Sequence, residues 1–173
     1  MTGREPAHAF AGSAVALVVA GAVAMATHQP WLFPSLGPAV MLHVEKPAAP
    51  ESSPRNTLIG HLVALLAGYG SLGSCGLADR PSVLQEGVTG PRIVAAAGSL
   101  AVTAAVLLLL RSPHPPAGAT TLIVSLGLLR TPTQLLVAAA AVVLVTAVDW
   151  AYNRATGRGM PIWAARREGA DSG

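Results

Sequence analysis

The segment RSPHPPAGATT (111–121) sets a guanidinium, an imidazole and paired prolines against the start of an apolar run. Those types in that order suit capture of an anion at a helix start. The first N–H groups of a helix lack partners within it, and the aligned peptide dipoles place about half a positive charge there. Such an end attracts negative ions. Pro115 and Pro116 have no N–H, so free donors begin at Ala117, Gly118 and Ala119. Gly118 carries no side chain to block an approaching ligand. Thr120 and Thr121 add hydroxyls, Arg111 a fixed positive charge, and His114 a switchable one.

A second stretch repeats the pattern. PSLGPAVML (34–42) matches PPAGATTLI (115–123) at Pro34 with Pro115 and at Gly37 with Gly118. Ser35 and Gly37 therefore present the equivalent surface from an earlier copy. His61 stands about one turn inside a separate apolar stretch, where a structural hydrogen bond and a place along a path are equally open readings.

Elements that hold such groups follow from composition. Apolar residues make up 52% of the 173 and charged residues 11%, against about 25% charged in soluble domains. Four stretches, Ala9–Thr27, Leu58–Leu77, Ile93–Leu110 and Thr133–Tyr152, suffice to cross a bilayer, which takes about 20 apolar residues. Asp149 is the one charge inside them. Arg4 and the run Ala24-Met25-Ala26 imitate a secretory leader, but three more spans follow, so the first stretch reads as a membrane helix. Pro34–Val44 and Pro116–Leu129 reach only about 16 and 21 Å at ~1.5 Å per residue. They read as half-helices dipping in from one side.

The expected fold is an all-α, polytopic transmembrane bundle of four spanning helices and two short half-helices, arranged as an internal repeat. Repeat 1 covers about 9–78 and repeat 2 about 92–152, within one membrane domain (1–173) that ends in a cytoplasmic tail from 153 to 173. Dipping half-helices put Arg4, Arg80, Arg92, Arg154, Arg158, Arg166 and Arg167 on one side and Lys46, Arg55, Arg111 and Arg130 on the other. The richer side is cytoplasmic and holds both termini. Full crossings by the short pieces would keep the termini there, move Arg80 and Arg92 outside, and invert the halves. Small residues at four-residue spacing (Gly12, Ala16, Ala20, Ala24; Gly60, Ala64, Gly68; Ala97, Ala101, Ala105) supply faces for close helix packing.

The string SPHPPAGATTLIVSLG resembles the signature of the HPP family of integral membrane proteins, here His114-Pro115-Pro116. FPSLGPAVML (33–42) and SPRNTLIGHLVALLAG (53–68) resemble its first half, so the likeness runs from about Ala9 to Tyr152. The resemblance implies a small bacterial or plastid membrane protein, with nitrite transport attached to some members. It supplies no residue-by-residue binding site.

Plainer readings stand beside these. Arg111 reads better as a span-end arginine snorkelling to lipid phosphates than as a ligand, whereas membrane depth favours a working role for His114. Asn56 reads as a helix N-cap, Arg55 as an interfacial anchor, Asp149 as paired with a basic residue at the inner surface. His28 and His43 fall in outer loops.

Several classes are disfavoured. One cysteine, Cys75, excludes an internal disulfide. No two histidines share a helix face at ligand spacing, so no metal or other cofactor is expected. No nucleophile stands beside an oriented base, which argues against an enzyme, and the basic residues form no patch for nucleic acid. The function expected is transport of a small inorganic anion, nitrite first, through a bacterial inner membrane. The partners are the anion, the bilayer and further copies of the chain. The alternative is a non-transporting scaffold or sensor subunit.

Overall fold

The computed structural model describes residues 4–165; Arg166, Arg167 and the rest of the expected tail beyond 165 lie outside the described residues. Among the described residues there are seven α-helices and no strand. They are α1 (Arg4–Thr27), α2 (Leu36–Glu45), α3 (Pro54–Ser74), α4 (Val83–Glu86), α5 (Gly90–Leu109), α6 (Pro116–Ser125) and α7 (Pro132–Ala155). Helices α1, α3, α5 and α7 are long and apolar enough to cross a membrane.

Local sequence sets the ends. Ser53 accepts from the Asn56 N–H while Pro54 fills the first helical position, so α3 begins before the apolar stretch does. Asn56 is therefore not the cap; its side-chain amide donates to the Pro50 carbonyl. Thr131 and Gln134 form a capping box at the start of α7. Gly127, at φ +78°, turns the chain out of α6 toward α7.

The short helices do not return to the side they came from. Tyr152, near the end of α7, packs on Gly12 of α1 and donates its hydroxyl to the His8 carbonyl. The two long helices thus run antiparallel. Leu32 touches α1 at Gly21 and Val44 touches it at Gly12, so the segment leading through α2 travels back along α1. The Arg55 N–H then bonds the Trp163 carbonyl, just past α7. In the second half His114 lies on Gly60 and Val124 on Gly68, which makes α6 parallel to α3. The carbonyl of Ser125 meets Arg92 at the start of α5, and that of Leu126 accepts from Val83.

Each short helix therefore completes a crossing together with the irregular residues before it, 28–35 or 110–115. This corrects the expectation of dipping half-helices. An extended residue advances up to ~3.3 Å against ~1.5 Å in a helix, and the irregular residues supply the length that α2 and α6 lack. The unit α1–α2–α3 starts at the end where the described residues begin and finish (the terminal end), and α5–α6–α7 starts at the opposite, distal end. The repeat is inverted.

Charges regroup accordingly. Arg4, Lys46, Arg55, Arg111, Arg154 and Arg158 share the terminal end, while Arg80, Arg92 and Arg130 share the distal end. Side chains sort in the reverse of a water-soluble protein. Phe10, Val18, Met25, Leu66, Leu108, Leu109 and Leu136 face outward, whereas His43, His61, His114, Thr120 and Asp149 are buried. A hydrocarbon exterior produces that order, because polar groups in lipid must find partners inside.

Two of the small-residue faces pack inward: Gly12, Ala16 and Ala20 of α1, with Ala24 half-buried, and Gly60, Ala64 and Gly68 of α3. The third does not. Ala97, Ala101 and Ala105 face outward, and α5 buries Ala95, Ser99, Thr103 and Leu107 instead. Burying the Ser99 and Thr103 hydroxyls fixes the rotation of α5.

Candidate functional site

The two short helices meet where they begin. Ser35, just before α2, and Thr120, one turn into α6, bring their hydroxyl oxygens to 2.6 Å. His61, in the second turn of α3, sets Nδ1 2.7 Å from the Thr120 hydroxyl. Its Nε2 lies 3.2 Å from Nε2 of His114, whose Nδ1 is 2.8 Å from the Glu51 carbonyl oxygen. A second string runs alongside: Asp149 Oδ2 lies 2.8 Å from His43 Nδ1, and His43 Nε2 lies 2.9 Å from the Thr57 hydroxyl. The rings of His43 and His114 are 6.3 Å apart. None of these seven side chains is more than 2% exposed.

The partners fix where the hydrogens sit. A carbonyl only accepts, so His114 carries its hydrogen on Nδ1 and, when neutral, offers a bare Nε2. His61 must then donate from Nε2, which leaves its Nδ1 to accept from the Thr120 hydroxyl. Thr120 in turn accepts from Ser35. The string has one direction, from Ser35 through Thr120, His61 and His114 to the Glu51 carbonyl.

Of the residues singled out in the sequence, Ser35, His61, His114 and Thr120 come together. Thr121 turns toward α5 and bonds the Thr103 hydroxyl at 2.9 Å. Gly118 also faces α5: a Cβ there would lie 3.3 Å from Leu100 Cδ1. Ala119, half-buried, lies between them. Gly37 is half-exposed, with nothing within 4 Å of the position a Cβ would take. Arg111 is not brought to the cluster; it is exposed, at φ +50°.

The expectation of free N–H donors needs correction. Ala117 and Gly118 donate to the His114 and Pro115 carbonyls, as Leu36 and Gly37 donate to those of Phe33 and Pro34. The identical turn in both copies accounts for the shared proline and glycine.

Three participants were not legible as such. His43 lies in the last turn of α2, not in an outer loop, and pairs with Asp149 in the interior. Thr57 carries no sequence signal beyond its place one turn before His61. Arg92 is buried, with its guanidinium on the Pro81 and Ser125 carbonyls. Among the described residues, no group of three or more His, Cys, Asp or Glu side chains is placed to hold a metal ion.

Two inverted halves that meet through a buried imidazole–hydroxyl string at the starts of two broken crossings define a polytopic membrane protein built on an internal repeat. The chain belongs to the HPP family: the model of the HPP transmembrane region matches residues 1–161. Neither a curated protein nor a solved structure matches it.

Proposed function

We propose that the protein moves a small inorganic anion, nitrite first, across a bacterial cytoplasmic membrane. The observation that carries this reading is the meeting of the two short helices at Ser35 and Thr120 within an inverted repeat. Secondary transporters place their sites near mid-bilayer between such halves, where broken helices aim their positive ends at anionic substrate. Ser35, Gly37, His61, His114 and Thr120 form the binding surface, with Gly118, Ala119 and Thr121 behind it. The positive-inside rule puts the terminal end, with six basic residues against three among the described residues, in the cytoplasm. The outward stripe of Ala97, Ala101 and Ala105 suits close approach by a second copy.

No catalysed reaction belongs to this reading. Thr57, His43 and Asp149 follow the hydroxyl–imidazole–carboxylate order of an activated nucleophile, but all three are buried against one another. We take them as the tie between α2, α3 and α7. The second reading, a scaffold or sensor subunit, is favoured by one observation: Ser35, His61, His114 and Thr120 are buried and hydrogen-bonded to one another.

Nitrite flux into proteoliposomes separates the two. Flux above that of protein-free vesicles is expected, and Gly37→Val, which adds bulk in open space beside Ser35, should lower it at least tenfold, or about 1.4 kcal/mol. Absence of flux with nitrite, nitrate and chloride alike would leave the scaffold.

A further inference from the structure

We infer that His61 and His114 together bind one proton per anion, and that this proton turns the hydroxyls of Thr120 and Ser35 so that Ser35 donates to the anion. The inference rests on the transport reading above and adds its coupling ion.

The argument is a count of hydrogens. In the string described, Ser35 spends its hydrogen on Thr120, at 2.6 Å, and shows only lone pairs to the start of α2. Lone pairs repel an anion. Let one proton enter the histidine pair. The 3.2 Å contact between the two Nε2 atoms holds one hydrogen and no more. His114 Nδ1 already holds the hydrogen that it donates to the Glu51 carbonyl. The one vacant nitrogen is then His61 Nδ1, whichever ring bears the charge. Once it carries a hydrogen, it donates to the Thr120 oxygen, 2.7 Å away. Thr120 must swing its own O–H toward Ser35, and Ser35 must release its hydrogen from Thr120. No covalent bond changes except the N–H bond gained by the pair. The Ser35 hydroxyl now donates at the positive end of α2, with open space beside Gly37.

A second proton would set N–H against N–H across the 3.2 Å contact and break it. The capacity is therefore one, and a monovalent anion travelling with one proton carries no net charge. That suits a site within hydrocarbon, where an uncompensated charge is costly. Among the described residues, the titratable and charged residues near the pair are His43 from α2, paired to Asp149 of α7; Glu51, whose carbonyl holds His114; and Arg55 at the start of α3, which bonds Ser112 and Asn56. From α6 the group bonded to the pair is the uncharged hydroxyl of Thr120. His43 and Arg55 thus have partners of their own, and the vacancy at His61 Nδ1 belongs to the pair.

Proteoliposomes loaded with a pH-sensitive dye test this with nitrite and with nitrate; protein-free vesicles give the permeation of undissociated acid. Potassium and valinomycin clamp the potential. The expected result is luminal acidification of one proton per anion, at a rate unchanged by a 100 mV clamp of either sign, which would drive an uncompensated charge. Thr120→Val, which keeps shape and removes the relay, should lower the coupled flux at least tenfold. Should it fail to assemble, Ser35→Ala decides, with the same loss expected. Anion flux without acidification, or flux that follows the clamp, overturns the coupling and leaves the transporter. Coupled flux retained by an assembled Thr120→Val, or by Ser35→Ala, overturns the relay. No flux of either anion overturns the transport reading, and the coupling with it.

Discussion

Gly60 and His114 touch where a side chain cannot fit: a Cβ on Gly60 would lie 2.9 Å from the Cβ of His114 and 3.1 Å from its ring. The imidazole reaches His61 because α3 has a glycine one residue before it. Gly60→Ala should push α6 from α3 and part the two Nε2 atoms. An overpacking cost of about 1–3 kcal/mol is expected, read as a lower unfolding midpoint in detergent together with loss of nitrite flux. Gly70→Ala, on the same helix but with nothing within 4 Å of its Cβ, is the control. Equal effects from the two would show that the fit at Gly60 does not matter.

The His43–Asp149 pair ties α2 to α7 with both side chains fully buried. Losing one partner leaves the other buried without its hydrogen bond, at a cost of about 1–3 kcal/mol, whereas replacing both with apolar residues of similar size can be neutral. His43→Ala should therefore destabilise strongly, and the double variant His43→Leu with Asp149→Leu should recover most of the loss. A double-variant cycle of thermal midpoints makes the comparison. A double variant as unstable as His43→Ala would mean that the pair does more than neutralise itself.

Arg92 caps the end of α6 from the first turn of α5. Its Nη2 donates to the Pro81 carbonyl at 2.6 Å and its Nη1 to that of Ser125 at 3.3 Å. A cation at a helix C-terminus complements the dipole, and the planar fork reaches both acceptors at once. Arg92→Lys keeps the charge but cannot span both carbonyls, so a loss of about 1.5–3 kcal/mol is expected, the worth of one charged hydrogen bond. Full stability in Arg92→Lys would reduce its role to charge alone.

Much of the architecture was legible because lipid makes length and apolarity decisive. The four long stretches needed only end corrections, and Pro34–Gly37 with Pro115–Gly118 marked the repeat because each pair closes the same turn. The path of the short helices was not legible, since an irregular, half-apolar stretch such as 28–35 gives no periodic signal of its direction. At the site, Ser35, His61, His114 and Thr120 stood out through residue type near a helix start. His43 did not, because its meaning comes from Asp149, 106 residues away, which only packing brings near. Arg111 stands close to His114 in sequence but reads better as a span-end arginine than as a ligand, and it is exposed, away from the cluster.

The inverted repeat makes a labelling pattern that dipping half-helices cannot. With Cys75→Ser as background, single cysteines at Lys46, Arg111, Ala78 and Gly87 are each exposed, so a reagent that does not cross membranes can reach them from one side. Crossing short helices place Lys46 and Arg111 at the end where α1 begins and α7 finishes, and Ala78 and Gly87 at the distal end. In cells that keep the terminal end inside, Ala78→Cys and Gly87→Cys should label from outside, and Lys46→Cys and Arg111→Cys only after permeabilisation. Half-helices that turn back would exchange the two pairs. That exchanged pattern would return Arg80 and Arg92 to the cytoplasm, remove the inverted relation between α1–α2–α3 and α5–α6–α7, and take from the Ser35–Thr120 contact its place between two opposed halves.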